Sequence, residues 1–221
     1  MPHRTRIKIC GMTRAADALL AAQLGVDAIG VVLHAPGRVR AVSMETASAI
    51  FSVLPAFVSR IGLFVDADPD LIIDRAIKLQ LSHVQLHGTE TLSLVNALSP
   101  ISVIKAVTVE DAGIWISSRP ANLAAILIDS PTKAGSGVGG GTGHANDWDA
   151  VEALLQGRSD LPPIVLAGGL NAENVGEVVR RFSGFLDTLS VDVSSGVEEA
   201  VPGLKSAERM QAFVRAVNAQ M

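Results

Sequence analysis

Eight times along its 221 residues the chain passes through a short apolar segment rich in Val and Ile, then through a longer Ala/Leu/charged stretch of helical spacing. The short segments are 6–10, 28–34, 60–65, 83–87, 102–107, 124–129, 163–166 and 189–193. The helical stretches are 14–24, 44–53, 69–81, 90–98, 111–118, 148–155, 172–182 and 205–219. Strict strand–helix alternation implies parallel strands joined by right-handed crossovers. Eight such units predict a (β/α)8 TIM barrel, with residues 1–221 as a single domain near the lower size limit of that fold. An open doubly wound sheet is the alternative, because periodicity does not reveal closure. Start and stop signals agree with the helices: Asp68 precedes Pro69, Gly25 follows Leu24, and Asn171 and Ser206 are N-cap candidates.

Composition narrows the function classes. With 18 Lys+Arg against 22 Asp+Glu the chain is mildly acidic, which argues against a nucleic-acid partner. Six Phe, two Trp and no Tyr leave little for a base-stacking surface. A single Cys excludes a disulfide framework and a Cys-rich zinc site, and the His and carboxylate spacings fit no metal. No apolar run reaches the roughly 18 residues of a membrane span. The basic start is not a signal peptide, since the apolar stretch after it is broken by Lys8 and Gly11. The expectation is a cytoplasmic protein with no membrane partner, monomeric or homodimeric.

In a barrel the ligand site lies at the C-terminal ends of the strands. Here those ends are polar or small: Cys10-Gly11, His34, Asp66, His87-Gly88, Asp129-Ser130, Gly168-Gly169 and Ser194-Ser195-Gly196. Alternation puts Lys8 on the face of Cys10, and His87 on that of Gln85 and His83. An interior lysine needs a carboxylate, which Asp129, Asp192 or Asp66 can supply. Cys10 reads as a buried small hydrophobe or, at the mouth, as a nucleophile or general base with its pKa lowered by the site or its ligand. Asp129 reads as a helix cap, as the partner of Lys8, or as a general acid. One thiol and one carboxyl on well-separated strands suit proton removal and delivery at different atoms of one substrate. The glycines of Gly168-Gly169 and Ser195-Gly196 either make tight turns only or let backbone N–H groups close on a phosphate. Arg38 and Arg40, after the second strand, are solvated charges or partners for a substrate carboxylate. The stretch 134–143 holds six Gly and is long enough for a mobile loop. Its Gly135, Gly137 and Gly140 match a dinucleotide fingerprint but neither follow a strand directly nor open a helix, so that reading is rejected. His3 and His144 read as surface residues and His83 as structural.

Lys8-Ile9-Cys10-Gly11, Val84-Gln85-Leu86-His87-Gly88, Gly140-Gly141-Thr142-Gly143, Leu166-Ala167-Gly168-Gly169-Leu170-Asn171 and Val191-Asp192-Val193-Ser194-Ser195-Gly196-Val197-Glu198 resemble, in order and spacing, the signatures of the phosphoribosylanthranilate isomerase family. The resemblance covers nearly the whole chain. It implies a cofactor-free, metal-free Amadori rearrangement of a phosphosugar in tryptophan biosynthesis, from N-(5-phosphoribosyl)anthranilate to 1-(2-carboxyphenylamino)-1-deoxyribulose 5-phosphate. It also implies Cys10 as general base and Asp129 as general acid, with substrate held by Arg40, His87, Gly168, Gly169, Asp192, Ser195 and Gly196. Two departures stand out. Where the family has Ser-Pro-Arg-x-Val-Ser, this chain reads Arg38-Val39-Arg40-Ala41-Val42-Ser43; alignment on Val-Ser selects Arg40, with Arg38 its competitor. Ser206 stands where the family's last helix has Asp. An indole-glycerol-phosphate synthase would need a catalytic lysine such as Lys105 and an N-terminal extension. A barrel that only binds a phosphorylated ligand would lack a coordinated acid and base.

Overall fold

The computed structural model of the chain describes residues 4–130 and 146–220. Residues 131–145, with the Gly-rich stretch, its fingerprint match and His144, lie outside the described residues, as does His3. Eight parallel strands close on themselves in chain order. They are β1 (Arg6–Ile9), β2 (Ala28–His34), β3 (Ser59–Phe64), β4 (His83–Leu86), β5 (Val103–Val107), β6 (Leu123–Ile128), β7 (Ile164–Leu166) and β8 (Leu189–Val193). The register Lys8↔Asp192 between β1 and β8 seals the barrel. Closure thus decides for the (β/α)8 barrel over the open sheet.

Each strand is followed by a helix: α1 (Ala15–Gln23), α2 (Met44–Ser52), α3 (Pro69–Lys78), α4 (Leu92–Ala97), α5 (Val109–Ser118), α6 (Trp148–Leu155), α7 (Val175–Ser183) and α8 (Ala207–Asn218). Two buried layers result. Ile7, Ile9, Ile29, Leu86, Ile128 and Val191 point outward and pack under helix residues such as Phe51, Ile72, Phe182 and Phe213. Ile61, Ile104, Ala125, Leu127 and Val165 fill the barrel interior. This is why the strands read as continuous apolar runs rather than as alternating ones. Among the described residues no helix is long and apolar enough to cross a membrane.

Several boundaries differ from the sequence expectation, two of them for a polar reason. The predicted helix over 90–98 begins at Leu92, because Glu90 turns inward instead: its carboxylate accepts from Asp66 N–H, Gly88 N–H and Lys105 Nζ. The helix predicted from 172 begins at Val175, because Asn171 Oδ1 accepts from the N–H groups of Glu173 and Asn174 and spends a turn doing so. The last helix begins at Ala207; Ser206 is its N-cap by backbone only, with no side-chain cap bond. Asp68 and Pro69 open α3 as expected, the carboxylate accepting from Asp70 N–H.

Candidate active site

A cavity of about 780 Å³, partly open to solvent, occupies the C-terminal mouth of the barrel. Cys10, Arg38, Arg40, His87, Asp129, Gly168, Gly169, Asp192 and Ser195 all line it. Of the site residues that the resemblance implies, Gly196 is absent from the lining, and of the polar or small strand ends His34, Asp66 and Gly88 are absent too.

Below the mouth, Lys8 Nζ donates to Asp192 Oδ1 at 2.9 Å, with 5% and 9% of the two side chains exposed. Of the three carboxylates offered by the sequence, strand register selects Asp192. Cys10, two residues further along the same face, is buried beside the Lys8 ammonium. Gly30 on β2 makes room for this pair: a Cβ there would meet Cys10 Sγ at 2.8 Å and Lys8 Nζ at 3.1 Å. Burial disfavours the Lys8 charge, but Asp192 and Cys10 outweigh it and hold the ammonium above the usual lysine value. Burial pushes the Asp192 carboxyl up, and Lys8 offsets this only in part. Burial also pushes the Cys10 thiol up, against the pull of Lys8 and with a push from Asp192. The protein by itself therefore raises this thiol rather than lowering it.

Across the cavity, Asp129 closes β6. Its Oδ1 accepts from Ser130 N–H at 2.8 Å, and its Oδ2 lies 3.2 Å from His87 Nε2. Gln85 Nε2 lies 3.0 Å from His87 Nδ1. With the amide donating to Nδ1, Nε2 carries the hydrogen, a tautomer assigned from this bond, and Nε2 lies beside the Asp129 carboxylate. Gln85 thus holds the ring of His87 next to the carboxyl at the rim. His83, at the opposite end of β4, points into the other end of the barrel, and burial lowers its pKa.

The loops after β7 and β8 meet. Gly168 and Gly169 have φ +96° and +63°, the left-handed region that glycine adopts without strain. A Cβ at Gly168 would meet Ser130 N at 2.8 Å. A Cβ at Gly196 would lie 2.0 Å from Leu170 O, so this glycine serves by close packing of one loop on the other. A short 3-10 turn, Ser195–Val197, starts there. Among the described residues no acceptor takes the N–H of Gly169, Ser195 or Gly196. Unpaired amides on adjoining loops are what an anion requires.

Arg40 reaches the rim because the loop after β2 folds back, with Val42 N–H donating to Val32 O at 3.1 Å. Its stem passes over Gly11, where a Cβ would lie 2.8 Å from Arg40 Cδ. Both Nε and Nη2 of Arg40 are engaged by Glu198, at 2.8 and 2.7 Å. Sequence reasoning quoted Glu198 only within the β8 signature and paired it neither with Arg40, 158 positions away, nor with Lys205, seven positions on. It also passed over the Lys105–Glu90 pair (2.8 Å, side chains 3% and 1% exposed). Lys105 Nζ is further bound by Gly88 O at 2.8 Å, so the lysine a ring-closing synthase would need is tied down. Among the described residues no group of three His, Cys, Asp or Glu side chains is arranged to hold a metal ion.

Residues 7–216 match the family model described as N-(5'phosphoribosyl)anthranilate (PRA) isomerase. The N-(5'-phosphoribosyl)anthranilate isomerase of Pseudomonas putida is 42% identical over 214 residues, covering 96% of this chain and 97% of the relative. Among solved structures, a phosphoribosyl anthranilate isomerase in complex with reduced 1-(o-carboxyphenylamino)-1-deoxyribulose 5-phosphate superposes with a TM-score of 0.78 at 36% identity, covering 97% of this chain and 99% of that one. Monomers generated from the dimeric phosphoribosylanthranilate isomerase of Thermotoga maritima give 0.78 at 33% identity, with 97% and 99% covered.

Proposed function

The chain belongs to the N-(5'-phosphoribosyl)anthranilate isomerase family, and from that premise we propose how its barrel mouth carries out the family's reaction, a step of tryptophan biosynthesis. The reaction is the Amadori rearrangement of N-(5'-phosphoribosyl)anthranilate to 1-(2-carboxyphenylamino)-1-deoxyribulose 5-phosphate. The observation that carries the assignment of roles is that Cys10, ending β1, and Asp129, ending β6, open onto one cavity from different sides.

Asp129 gives its proton to the furanose ring oxygen as the bond from that oxygen to C1' breaks, and the anthranilate nitrogen becomes an iminium. The Cys10 thiolate takes the proton from C2', which the neighbouring iminium has made acidic. The electron pair neutralises the nitrogen and leaves an enolamine, which tautomerises to the ketone. Burial raises the Cys10 thiol, so the base is the fraction of the enzyme whose thiol has already released its proton to solvent; Lys8 below and the iminium beside it both favour that thiolate. His87 steadies Asp129 through the 3.2 Å contact. Gly169, Ser195 and Gly196 offer their amides to the phosphate, Gly168 gives the backbone its close approach, and Arg40 meets the anthranilate carboxylate. Anchoring both ends turns remote binding into orientation at C1' and C2'.

For assembly the reading is a homodimer. It is supported by the dimeric Thermotoga relative and by Phe57, fully exposed beside a cavity lined by Ile61, Ile104 and Val165 at the other end of the barrel. A light-scattering mass of one chain would remove it. The chemistry is tested by following loss of substrate fluorescence on freshly made N-(5'-phosphoribosyl)anthranilate with EDTA present. The wild type turns over, and Cys10→Ser and Asp129→Asn each lose roughly 10²–10⁴-fold in kcat while still binding the reduced product analogue. Near-normal kcat in either variant removes that residue's role.

A further inference from the structure

Three charged side chains from two distant parts of the chain meet behind the rim of the cavity, which Arg40 lines. Arg40 donates from Nε and Nη2 to the two oxygens of Glu198, at 2.8 and 2.7 Å. Lys205 Nζ donates to Glu198 Oε1 at 2.9 Å. Glu198 is 4% exposed and Lys205 is fully buried. Their backbones also face one another across an isolated antiparallel bridge, with Glu199 N–H donating to Leu204 O at 2.8 Å. Lys205 Nζ then continues to Ser194 O at 3.0 Å, immediately before the Ser195 turn. An unbroken run of charge-assisted bonds thus joins Arg40 to the root of the β8 turn.

Two features show that this run is built to hold Arg40 without silencing it. The trio carries two cations and one anion, so a net positive charge remains at the rim. A guanidinium has five N–H donors and Glu198 takes one on each of two nitrogens, leaving the others for a second anion. Packing fixes the stem as well, since it passes over Gly11 beside Ser194. Burial opposes the Glu198 charge, but Arg40 and Lys205 outweigh it and hold the carboxyl below the usual glutamate value.

We propose that Glu198, backed by Lys205, is a positioning residue that fixes the distance between Arg40 and the Ser195 turn. It thereby selects ligands that carry a carboxylate and a phosphate at the separation found in an N-(2-carboxyaryl) phosphosugar. The proposal deepens the functional reading above and rests on it for the two anions. Glu198 touches no substrate atom; it acts through Arg40.

The test compares the reduced product analogue with its counterpart lacking the aryl carboxylate, by calorimetry on the full chain. Glu198→Gln weakens the carboxylate-bearing ligand about ten-fold, or about 1.4 kcal/mol, and the other less than about two-fold. In an Arg40→Gln background the same substitution adds less than about two-fold for either ligand. In turnover it raises KM and leaves kcat within about three-fold. Should Glu198→Gln not fold, Glu198→Asp keeps the charge but draws Arg40 back by one methylene, with the same selective loss expected. Equal weakening of both ligands, or equal loss with and without Arg40, makes Glu198 a structural staple and overturns the proposal. Wild-type turnover is measured alongside. Turnover without selective loss overturns the positioning role alone, whereas absent turnover overturns the isomerase reading and leaves the binding comparison to decide the role of Glu198.

Discussion

Removing either member of the buried pair beneath Cys10 should destabilise the fold equally in sign, yet move the chemistry of Cys10 in opposite directions. In Lys8→Met the Asp192 carboxylate, 9% exposed, loses the ammonium at 2.9 Å. In Asp192→Asn the ammonium, 5% exposed, loses its carboxylate. Breaking a buried pair by removing one partner costs about 3–5 kcal/mol, a large share of the roughly 5–15 kcal/mol that holds a typical protein folded. For Lys8→Met the cost depends on pH in a fixed sense. The folded-state pKa of Asp192 is raised by burial, with Lys8 no longer offsetting it. The folded chain then holds a proton that the unfolded chain releases, so stability falls as pH rises from the ordinary aspartate value through the raised one. The deficit against wild type should therefore be greatest near neutrality and shrink toward about pH 4. At Cys10, Lys8 favours the thiolate and Asp192 opposes it. Lys8→Met moves the ionisation midpoint to higher pH; Asp192→Asn moves it lower, because the thiolate is then the remaining anion for Lys8. Since Cys10 is the sole cysteine, the pH dependence of iodoacetamide alkylation reads its ionisation directly, and urea unfolding at two pH values reads the stability. Shifts of the same sign in both variants, or no shift in either, would refute the electrostatic picture of the site.

Two further outcomes test the anion anchors. Arg40→Ala should raise KM for N-(5'-phosphoribosyl)anthranilate more than Arg38→Ala does, although both line the cavity; the reverse order in steady-state kinetics would transfer the carboxylate to Arg38. Gly196→Ala sets a methyl group 2.0 Å from Leu170 O, a backbone atom that cannot swing away. It should cost about 1–3 kcal/mol in urea unfolding and weaken inhibition by inorganic phosphate, and unchanged phosphate inhibition would detach this loop contact from phosphate binding.

What the sequence made legible, and what it did not, follows from the range of the forces involved. Strand and helix periods are local, so eight units and their polar ends could be read off directly, and Cys10, His87, Asp129 and the Gly168-Gly169 turn all line the mouth. The interior lysine required an anion on solvation grounds alone, but three aspartates qualified; only the β1–β8 register brings Asp192 opposite Lys8. Glu90 shows the same limit from the other side. A carboxylate just before an apolar run has the look of a first-turn helix acid. The deciding partner, Lys105, lies one strand further on and becomes visible only when β4 and β5 pair. Arg40 and Glu198 are 158 positions apart, so no window of sequence could join them, and Arg40 alone reads as a solvated charge or a ligand contact. Most telling is Cys10. Its place at a strand end left open a buried small hydrophobe or a base lowered by the site or its ligand, and the folded site itself pushes the thiol upward through burial. Position along a strand is a one-dimensional property, but desolvation depends on every atom that closes over the group. A buried thiol can serve as the proposed base only after its own proton has left to solvent, and Lys8 beneath it favours that ionised form. In the proposed mechanism the acid step at Asp129 precedes the base step at Cys10, because C2' becomes acidic only once the neighbouring iminium exists, so the order of the two proton transfers is set by the substrate's chemistry rather than by strand position.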